Sequence, residues 1–140
     1  MKDFGAAFWE ASRVLRAHRE RVLQAHGVHA GQNLMLDQLW REDGLTPGEL
    51  AARIGVETPT VTRMAQRMER AGLVRRVKDT ADRRLVRVHL TAAGQGLRTV
   101  LPALIARADG QALDGFGPAE RERFAEFLGR LAGNLERAST

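Results

Sequence analysis

The 140-residue sequence predicts a mainly helical α+β fold, in which helices at both ends flank two short helices and one β-hairpin. Three observations predict it. Apolar residues recur at helical spacing along most of the chain, two short helical segments meet at a turn around Gly55, and two alternating stretches beyond residue 72 are joined by a polar turn. We expect an N-terminal dimerisation helix within residues 1–31, a central domain at 32–91 and C-terminal dimerisation helices at 92–140.

The composition excludes several classes of protein. The sequence is 44% hydrophobic and 28% charged, which is typical of a soluble globular protein. It has no apolar run of the roughly 20 residues that a membrane span needs, and its start lacks the apolar segment of a secretory signal. The absence of cysteine excludes disulfides, thiolate metal sites and a cysteine nucleophile. We therefore expect a cytoplasmic protein that does not associate with membranes.

The positive charge is concentrated in one region. The chain has 22 basic and 17 acidic residues, a net charge of +5. Residues 58–71 hold three arginines and one glutamate, a net charge of +2, and residues 72–91 hold six basic and two acidic residues, a net charge of +4. The rest of the chain sums to −1. A basic patch confined to one module is typical of a protein that binds a polyanion.

The first element is predicted to be a helix over residues 4–25. Its apolar seam, at alternating spacings of four and three, consists of Phe4, Phe8, Ala11, Leu15, His18 and Val22. A narrow seam of this kind is typical of a helix that packs against another helix. A second helix is expected at about 32–42, with the turn Asp43-Gly44 after it.

The third helix is predicted to start with a capping box and to end at a glycine. Thr46 can accept a hydrogen bond from the backbone of Glu49, whose side chain can reach back. Gly55 supplies the exit, because a left-handed conformation costs glycine little. Only two residues then precede Thr58. The spacing predicts a helix-turn-helix.

The fourth helix is predicted over Thr58–Arg70, with Thr58 as its N-cap and Pro59 in its first position. Its inner stripe should hold Val61, Met64, Ala65 and Met68. Its outer face holds Thr60, Thr62, Arg63, Gln66, Arg67 and Arg70. An apolar back and a front of Arg, Thr and Gln fit a DNA major groove, because these side chains donate to base edges and phosphates. The alternative is a surface helix with solvated arginines.

A β-hairpin is predicted next, from strands at 73–77 and 85–90 joined by a basic turn. Placed directly after the basic helix, the hairpin is a wing. Thr91 should cap a helix over about 92–113, with a kink or break at Pro102. A last helix should run from Pro118 to about Arg137.

These motifs resemble the MarR family of bacterial winged-helix regulators. The resemblance lies in Leu45–Ala51, Thr58–Arg63, Gly72–Arg76, Asp82-Arg83-Arg84 and Val88–Thr91, in that order and spacing, over about half of the chain. It implies a winged helix-turn-helix that regulates transcription, most often as a repressor. It also implies a homodimer in which the first helix and the last two pack across a two-fold axis. Such a dimer should bind double-stranded DNA at a near-palindrome.

The residue types and the resemblance together predict the DNA-binding residues. They are Thr58, Thr60, Thr62, Arg63, Gln66, Arg67, Arg70, Arg76, Lys78, Asp82, Arg83 and Arg84. Arg63 is the best candidate for a base contact, because a bidentate arginine–guanine pair is the commonest specific one. Arg83 and Arg84 are both candidates for the minor groove; the family pattern favours Arg84. Asp82 is expected to orient an arginine rather than to contact DNA.

The resemblance also implies a small phenolic or other aromatic anion as effector. Candidate residues for it are Arg13, Arg16, His18 and Trp40, although His18 could instead be a buried interface histidine and Trp40 a core residue. We expect no cofactor and no metal, since His26 and His29 have no obvious further ligands nearby. With no phosphate loop or nucleophile elbow, we expect no enzyme. The alternative function is an architectural or protein-interaction winged helix without an effector.

Overall fold

The structure, a computed structural model, describes residues 3–140. It confirms the predicted mainly helical α+β fold. The elements in chain order are α1 Phe4–Gln24, α2 Gln32–Arg41, α3 Pro47–Ile54, α4 Thr58–Arg70, β1 Val74–Lys78, β2 Val86–Leu90, α5 Ala92–Gly96, a 3-10 turn Leu97–Thr99, α6 Leu101–Ala112 and α7 Pro118–Ala138. The chain divides into two compact units, one up to Ala108 and one formed by Asp109–Thr140.

The core of the first unit is built from one side of α2, α3, α4 and the hairpin. Its fully buried side chains include Leu36 of α2, Leu50 of α3, Val61 and Met68 of α4 and Val88 of β2. Full burial of each such side chain stabilises the fold by about 1.5–3 kcal/mol. The core therefore fixes α4 and the hairpin on the same support.

The hairpin is antiparallel, and a third backbone segment joins it. β1 pairs with β2 from Val74 opposite Leu90 to Lys78 opposite Val86. The amide of Val88 also donates to the carbonyl of Leu45 at 2.8 Å, so the chain before α3 lies beside β2. The sequence did not predict this bridge, which ties the hairpin to the helix-turn-helix.

Two of the three predicted threonine caps are confirmed. Thr46 Oγ1 accepts from the amide of Glu49 at 3.2 Å, and Thr91 Oγ1 accepts from the amide of Gly94 at 3.1 Å. The prediction that Thr58 caps α4 is wrong. The carbonyl of Glu57 already accepts from the amides of Thr60 and Val61, so Glu57 is the N-cap and Thr58 the first helical residue. The amides of the first helical turn have no acceptor within the helix, so a proline, which lacks an N–H, fits any position of that turn. Pro59 is therefore compatible with a helix that begins one residue earlier than predicted.

The predicted helix over 92–113 is broken, as its proline indicated. α5 ends at Gly96, a 3-10 turn follows, and α6 starts at Leu101, which places Pro102 in the first turn of the new helix. Gly94 of α5 is buried, and the backbone just before β1 approaches it closely. A Cβ at Gly94 would lie 2.2 Å from the carbonyl oxygen of Leu73.

The second unit is dominated by α7. Pro118 opens this helix as predicted, and the helix ends at Ala138. The Glu120 carboxylate accepts from the amide of Gly117 at 2.9 Å, which completes a cap at the start of the helix. None of the helices between residues 3 and 140 combines the length and apolar character that a membrane span requires.

Candidate nucleic-acid interface

The turn between α3 and α4 depends on Gly55. Gly55 has φ of +74°, and its amide donates to the carbonyl of Ala51 at 2.9 Å. The amide of Val56 donates to the same carbonyl at 3.1 Å. A left-handed conformation costs other residues about 1–2 kcal/mol, so glycine suits this position. The turn brings α4 across α3 within a few residues.

The inner face of α4 holds the helix against the core. Val61, Ala65 and Met68 are buried, and Met64 is half-buried. The predicted inner stripe is therefore confirmed, with Met64 at its edge. Because these positions face inward, the positions between them must face solvent.

The outer face of α4 presents the predicted polar side chains. Arg63, Arg67 and Arg70 are exposed, as is Thr58, whereas Thr60, Thr62 and Gln66 are half-buried. Arg63 Nη2 makes one long hydrogen bond, of 3.4 Å, to Thr60 Oγ1. The Thr62 hydroxyl donates to the Thr58 carbonyl at 3.2 Å. Within residues 3–140 the three arginines form no ion pair, so their donors are available to a ligand.

At the wing tip, Asp82 and Arg84 form a two-point pair. Arg84 Nε donates to Asp82 Oδ1 and Nη2 to Oδ2, each at 3.0 Å. This contact lowers the pKa of the Asp82 carboxyl and raises the pKa of Arg84. The Arg84 side chain is nevertheless 90% exposed. Arg83 is exposed and has no ion pair in the described part of the chain. The structure thus holds Arg84 in one orientation and leaves Arg83 unconstrained.

Arg76, a predicted DNA-binding residue, is paired within the chain. Its amide donates to Glu69 Oε2 at 2.8 Å and its Nε to Oε1 at 3.1 Å. These bonds, the backbone one foremost, lower the pKa of the Glu69 carboxyl. The pair joins the end of α4 to β1 across seven residues, a spacing that no local sequence rule signals. Arg76 therefore connects two elements of the winged helix.

A second pair that the sequence did not signal lies on the wing itself. Arg87 Nε donates to Asp79 Oδ1 at 2.9 Å, and its Nη1 donates to the carbonyl of Gly44, also at 2.9 Å. The bond from Arg87 is the main reason that the pKa of Asp79 is lowered. The wing arginines Arg76, Arg84 and Arg87 are thus all paired with carboxylates.

The remaining wing cations are unpaired. Lys78 ends β1, Arg75 lies earlier on the same strand, and Arg83 lies at the tip; all three are exposed. None of them forms an ion pair among residues 3–140. We call Arg75, Lys78 and Arg83 the unpaired wing cations. They are free to approach a polyanion without breaking an internal contact.

The predicted effector residues lie in different surroundings. Arg13 and Arg16 are exposed on α1, and His18 is half-buried on the same helix. Trp40 packs against the core, and its Nε1 donates to the carbonyl of Gly94 at 3.0 Å. Trp40 thus has the core role that was its alternative. Among the described residues, no three His, Asp or Glu side chains are grouped to hold a metal.

Comparison with known proteins finds the same family that the sequence motifs resemble. The sequence model of the MarR family matches residues 29–86. The chain is 36% identical over 111 residues to the HTH-type transcriptional regulator TtmR of Methylorubrum extorquens (strain PA1), covering 77% of this chain and 53% of that protein. It is 30% identical over 93 residues to the uncharacterized HTH-type transcriptional regulator YsmB of Bacillus subtilis (strain 168), covering 66% and 64%. The chain thus spans about half to two thirds of the length of these relatives.

The fold is shared with solved structures over nearly the whole chain. One of them is the crystal structure of an S. aureus MepR–DNA complex, with a TM-score of 0.85 at 20% identity, covering 96% of this chain and 99% of that one. The family match includes the helix-turn-helix and β1 and ends at the first residue of β2. The stretch that matches, residues 29–86, is therefore a MarR-family domain.

Proposed function

We propose that the protein is a transcriptional regulator that binds double-stranded DNA sequence-specifically and represses from a near-palindromic operator. The observation that carries the proposal is the outer face of α4, where Arg63, Arg67 and Arg70 are exposed and unpaired on a helix fixed by the core. Rigid presentation of donors is what reading a groove requires, because base contacts need fixed geometry. A protein of the same fold is solved with DNA bound.

The two parts of the winged helix take different tasks in this proposal. α4 enters the major groove, where Arg63 contacts a base and Arg67 and Arg70 contact phosphates. The wing reaches the minor groove, and Arg84 enters it, since Asp82 already holds its guanidinium in an exposed position. Lys78 adds a phosphate contact. Phosphate contacts supply most of the affinity and base contacts supply the register.

We further propose that the protein acts as a homodimer. α1 exposes Phe4 and Trp9 at 68% and 69%, and α7 exposes Phe127 and Leu135 at 49% and 61%. Large exposed apolar side chains on both terminal helices favour an isologous contact that covers them. The mass in solution at micromolar concentration should be twice the 15.5 kDa of the chain. A monomeric mass would contradict the dimer.

The operator is the direct test of the function. Genomic fragments bound by the purified protein are selected and sequenced, and affinity for the enriched site is compared with affinity for a scrambled duplex. A regulator should favour its site by roughly 10³-fold or more. A ratio near one would contradict the proposal and favour the architectural alternative. Repeating the selection with a panel of aromatic acids tests whether an effector releases the DNA.

A further inference from the structure

One wing arginine has no role in the proposed DNA contacts. Arg87 lies on β2, opposite Val77 of β1. Its guanidinium uses Nε for Asp79, just after β1, and Nη1 for the carbonyl of Gly44, in the turn between α2 and α3. These two bonds of 2.9 Å lie outside the ladder of the hairpin. Arg87 therefore connects the wing directly to the chain that leads into the helix-turn-helix.

Asp79 extends this connection toward the wing tip. Its second oxygen, Oδ2, accepts from the amide of Asp82 at 2.9 Å. The Asp82 carboxylate in turn holds the guanidinium of Arg84. An unbroken series of hydrogen bonds thus runs from Gly44 through Arg87, Asp79 and Asp82 to Arg84. We call this series the wing tether.

The surroundings of the Arg87–Asp79 pair argue against a role as simple positive charge. The two side chains are 34% and 17% exposed, whereas the Arg84 side chain is 90% exposed. An arginine that binds phosphate needs donors that face solvent, but two donors of Arg87 are bound to acceptors within the chain. The planar fork fixes the angle between those two acceptors, which a lysine ammonium does not. The pair is therefore suited to set an orientation.

We propose that Arg87 and Asp79 are positioning residues that orient the wing tip, so that Arg84 meets DNA at a fixed place relative to α4. The inference rests on the proposed function and deepens it. Without the tether, the tip of the hairpin keeps the ladder and the backbone bonds of Leu85 to Asp79 and Asp82, but it loses its side-chain link to the turn before α3. The orientation of the tip must then be fixed when DNA binds. Ordering side chains and loops on binding reduces affinity, and the loss falls on contacts that need fixed geometry.

The test replaces Arg87 by lysine, which keeps the net charge and removes the fork. Arg87→Lys is made in the unaltered protein and in Arg84→Ala, and binding is measured to the selected operator and to a scrambled duplex of equal length. We expect Arg87→Lys to weaken operator binding by about tenfold for each protomer, the size of one lost specific contact, and so by about a hundredfold for the dimer. Binding to the scrambled duplex should change by less than about twofold. In the Arg84→Ala background, Arg87→Lys should cause no further loss, because both changes remove the same contact.

Two results would overturn the proposal. If the losses from Arg84→Ala and Arg87→Lys multiplied, Arg87 would not act through Arg84. If Arg87→Lys were harmless while Arg87→Gln weakened both duplexes and reduced the salt dependence, Arg87 would be a phosphate contact. Asp79→Asn is the second variant and should reproduce both the loss and its dependence on Arg84. Unfolding midpoints of all variants identify any that do not fold. If Arg87→Lys does not fold, operator binding is compared with Asp79→Asn instead, with and without Arg84→Ala.

The inference and the function on which it rests fail differently. If the unaltered protein preferred no DNA sequence, the proposed function would be wrong and the tether would have nothing to orient. If it bound an operator selectively and the double variant showed independent losses, only the tether would be wrong.

Discussion

Replacing Lys78 by glutamine should reduce the salt dependence of DNA binding, whereas the same replacement of Arg76 should hardly change it. Both changes remove one positive charge from β1. Lys78 is exposed and unpaired, but Arg76 is bound through its amide and Nε to Glu69. If contact with phosphate decides the salt dependence, the two variants must differ. If total charge decides it, they must behave alike.

The magnitude follows from counterion release. Each neutralised phosphate contributes about 0.9 to the slope of log affinity against log salt concentration. A dimer loses two contacts with Lys78→Gln, so its slope should become shallower by about 1.8. Between about 50 and 200 mM salt, the ratio of unaltered to variant affinity should therefore fall about tenfold. Arg76→Gln should leave the slope within experimental error of the unaltered protein.

Fluorescence anisotropy with a labelled operator duplex, titrated at several potassium chloride concentrations, measures these slopes. Unfolding midpoints confirm that both variants are folded, and the loss of an exposed pair such as Arg76–Glu69 should change them little. Equal changes of slope in the two variants would refute the distinction between paired and unpaired cations. An unchanged slope for Lys78→Gln would show that Lys78 does not contact phosphate.

Three further predictions concern specificity, packing and pH. Arg63→Ala should weaken operator binding by about 1–3 kcal/mol per contact and relax sequence preference, and an equal loss on random DNA would contradict the base contact. Gly94→Ala should lower the free energy of unfolding in urea by about 1–3 kcal/mol, because the new Cβ would overlap the Leu73 carbonyl; the control Gly96→Ala, with no atom of residues 3–140 within 4 Å of its Cβ beyond its chain neighbours and its own helix backbone, should raise it by about 0.5–1 kcal/mol. The pKa of Asp79 is lowered by its arginine partner, so its stabilisation is complete above the unfolded pKa and is lost as pH falls through the lower folded value. The stability difference from Asp79→Asn should thus be constant from about pH 5 to 8, begin to fall near the unfolded pKa of about 3.9 and vanish only below the lower folded pKa; a difference that does not fall in acid would contradict this.

The features predicted correctly from the sequence are those that neighbouring residues determine. The caps at Thr46 and Thr91 each join residues three positions apart, and the inner stripe of α4 repeats every turn. The cap of α4 shows where local reasoning fails. A proline in the first turn is compatible with two starting residues, and in the structure the N-cap is Glu57. The error is one residue in register and does not alter which face of the helix is buried.

The contacts that organise the wing were not predictable, because they join residues far apart in sequence. Glu69 and Arg76 are seven residues apart, and Arg87 reaches a carbonyl 43 residues earlier. A sequence shows that acids and arginines are present but not which of them meet. For this reason Arg76 was predicted as a DNA contact, and Arg87 and Asp79 were not singled out at all. The DNA contact of Arg76 stays a prediction from the sequence, which the slope of Arg76→Gln would test.

The ion pairs of the winged helix show which side chains hold its net positive charge. Residues 58–91 contain nine basic and three acidic residues, a net charge of +6. Each of the three acids, Glu69, Asp79 and Asp82, binds one arginine. The charge of +6 therefore resides in six unpaired side chains, which are Arg63, Arg67, Arg70, Arg75, Lys78 and Arg83.

The division into paired and unpaired cations sets an upper limit on the salt dependence of DNA binding. A steeper measured dependence would show that the division does not hold in the complex. If only the six unpaired side chains meet phosphate, a dimer makes at most twelve such contacts, and the slope of log affinity against log salt concentration is no steeper than about −11. The paired arginines would then contribute through orientation, as Arg84 does when its fork is held toward the minor groove. A steeper slope would mean that DNA draws the paired arginines away from their carboxylates. Replacing Glu69 by glutamine would then strengthen binding, because Arg76 would no longer have to leave a partner.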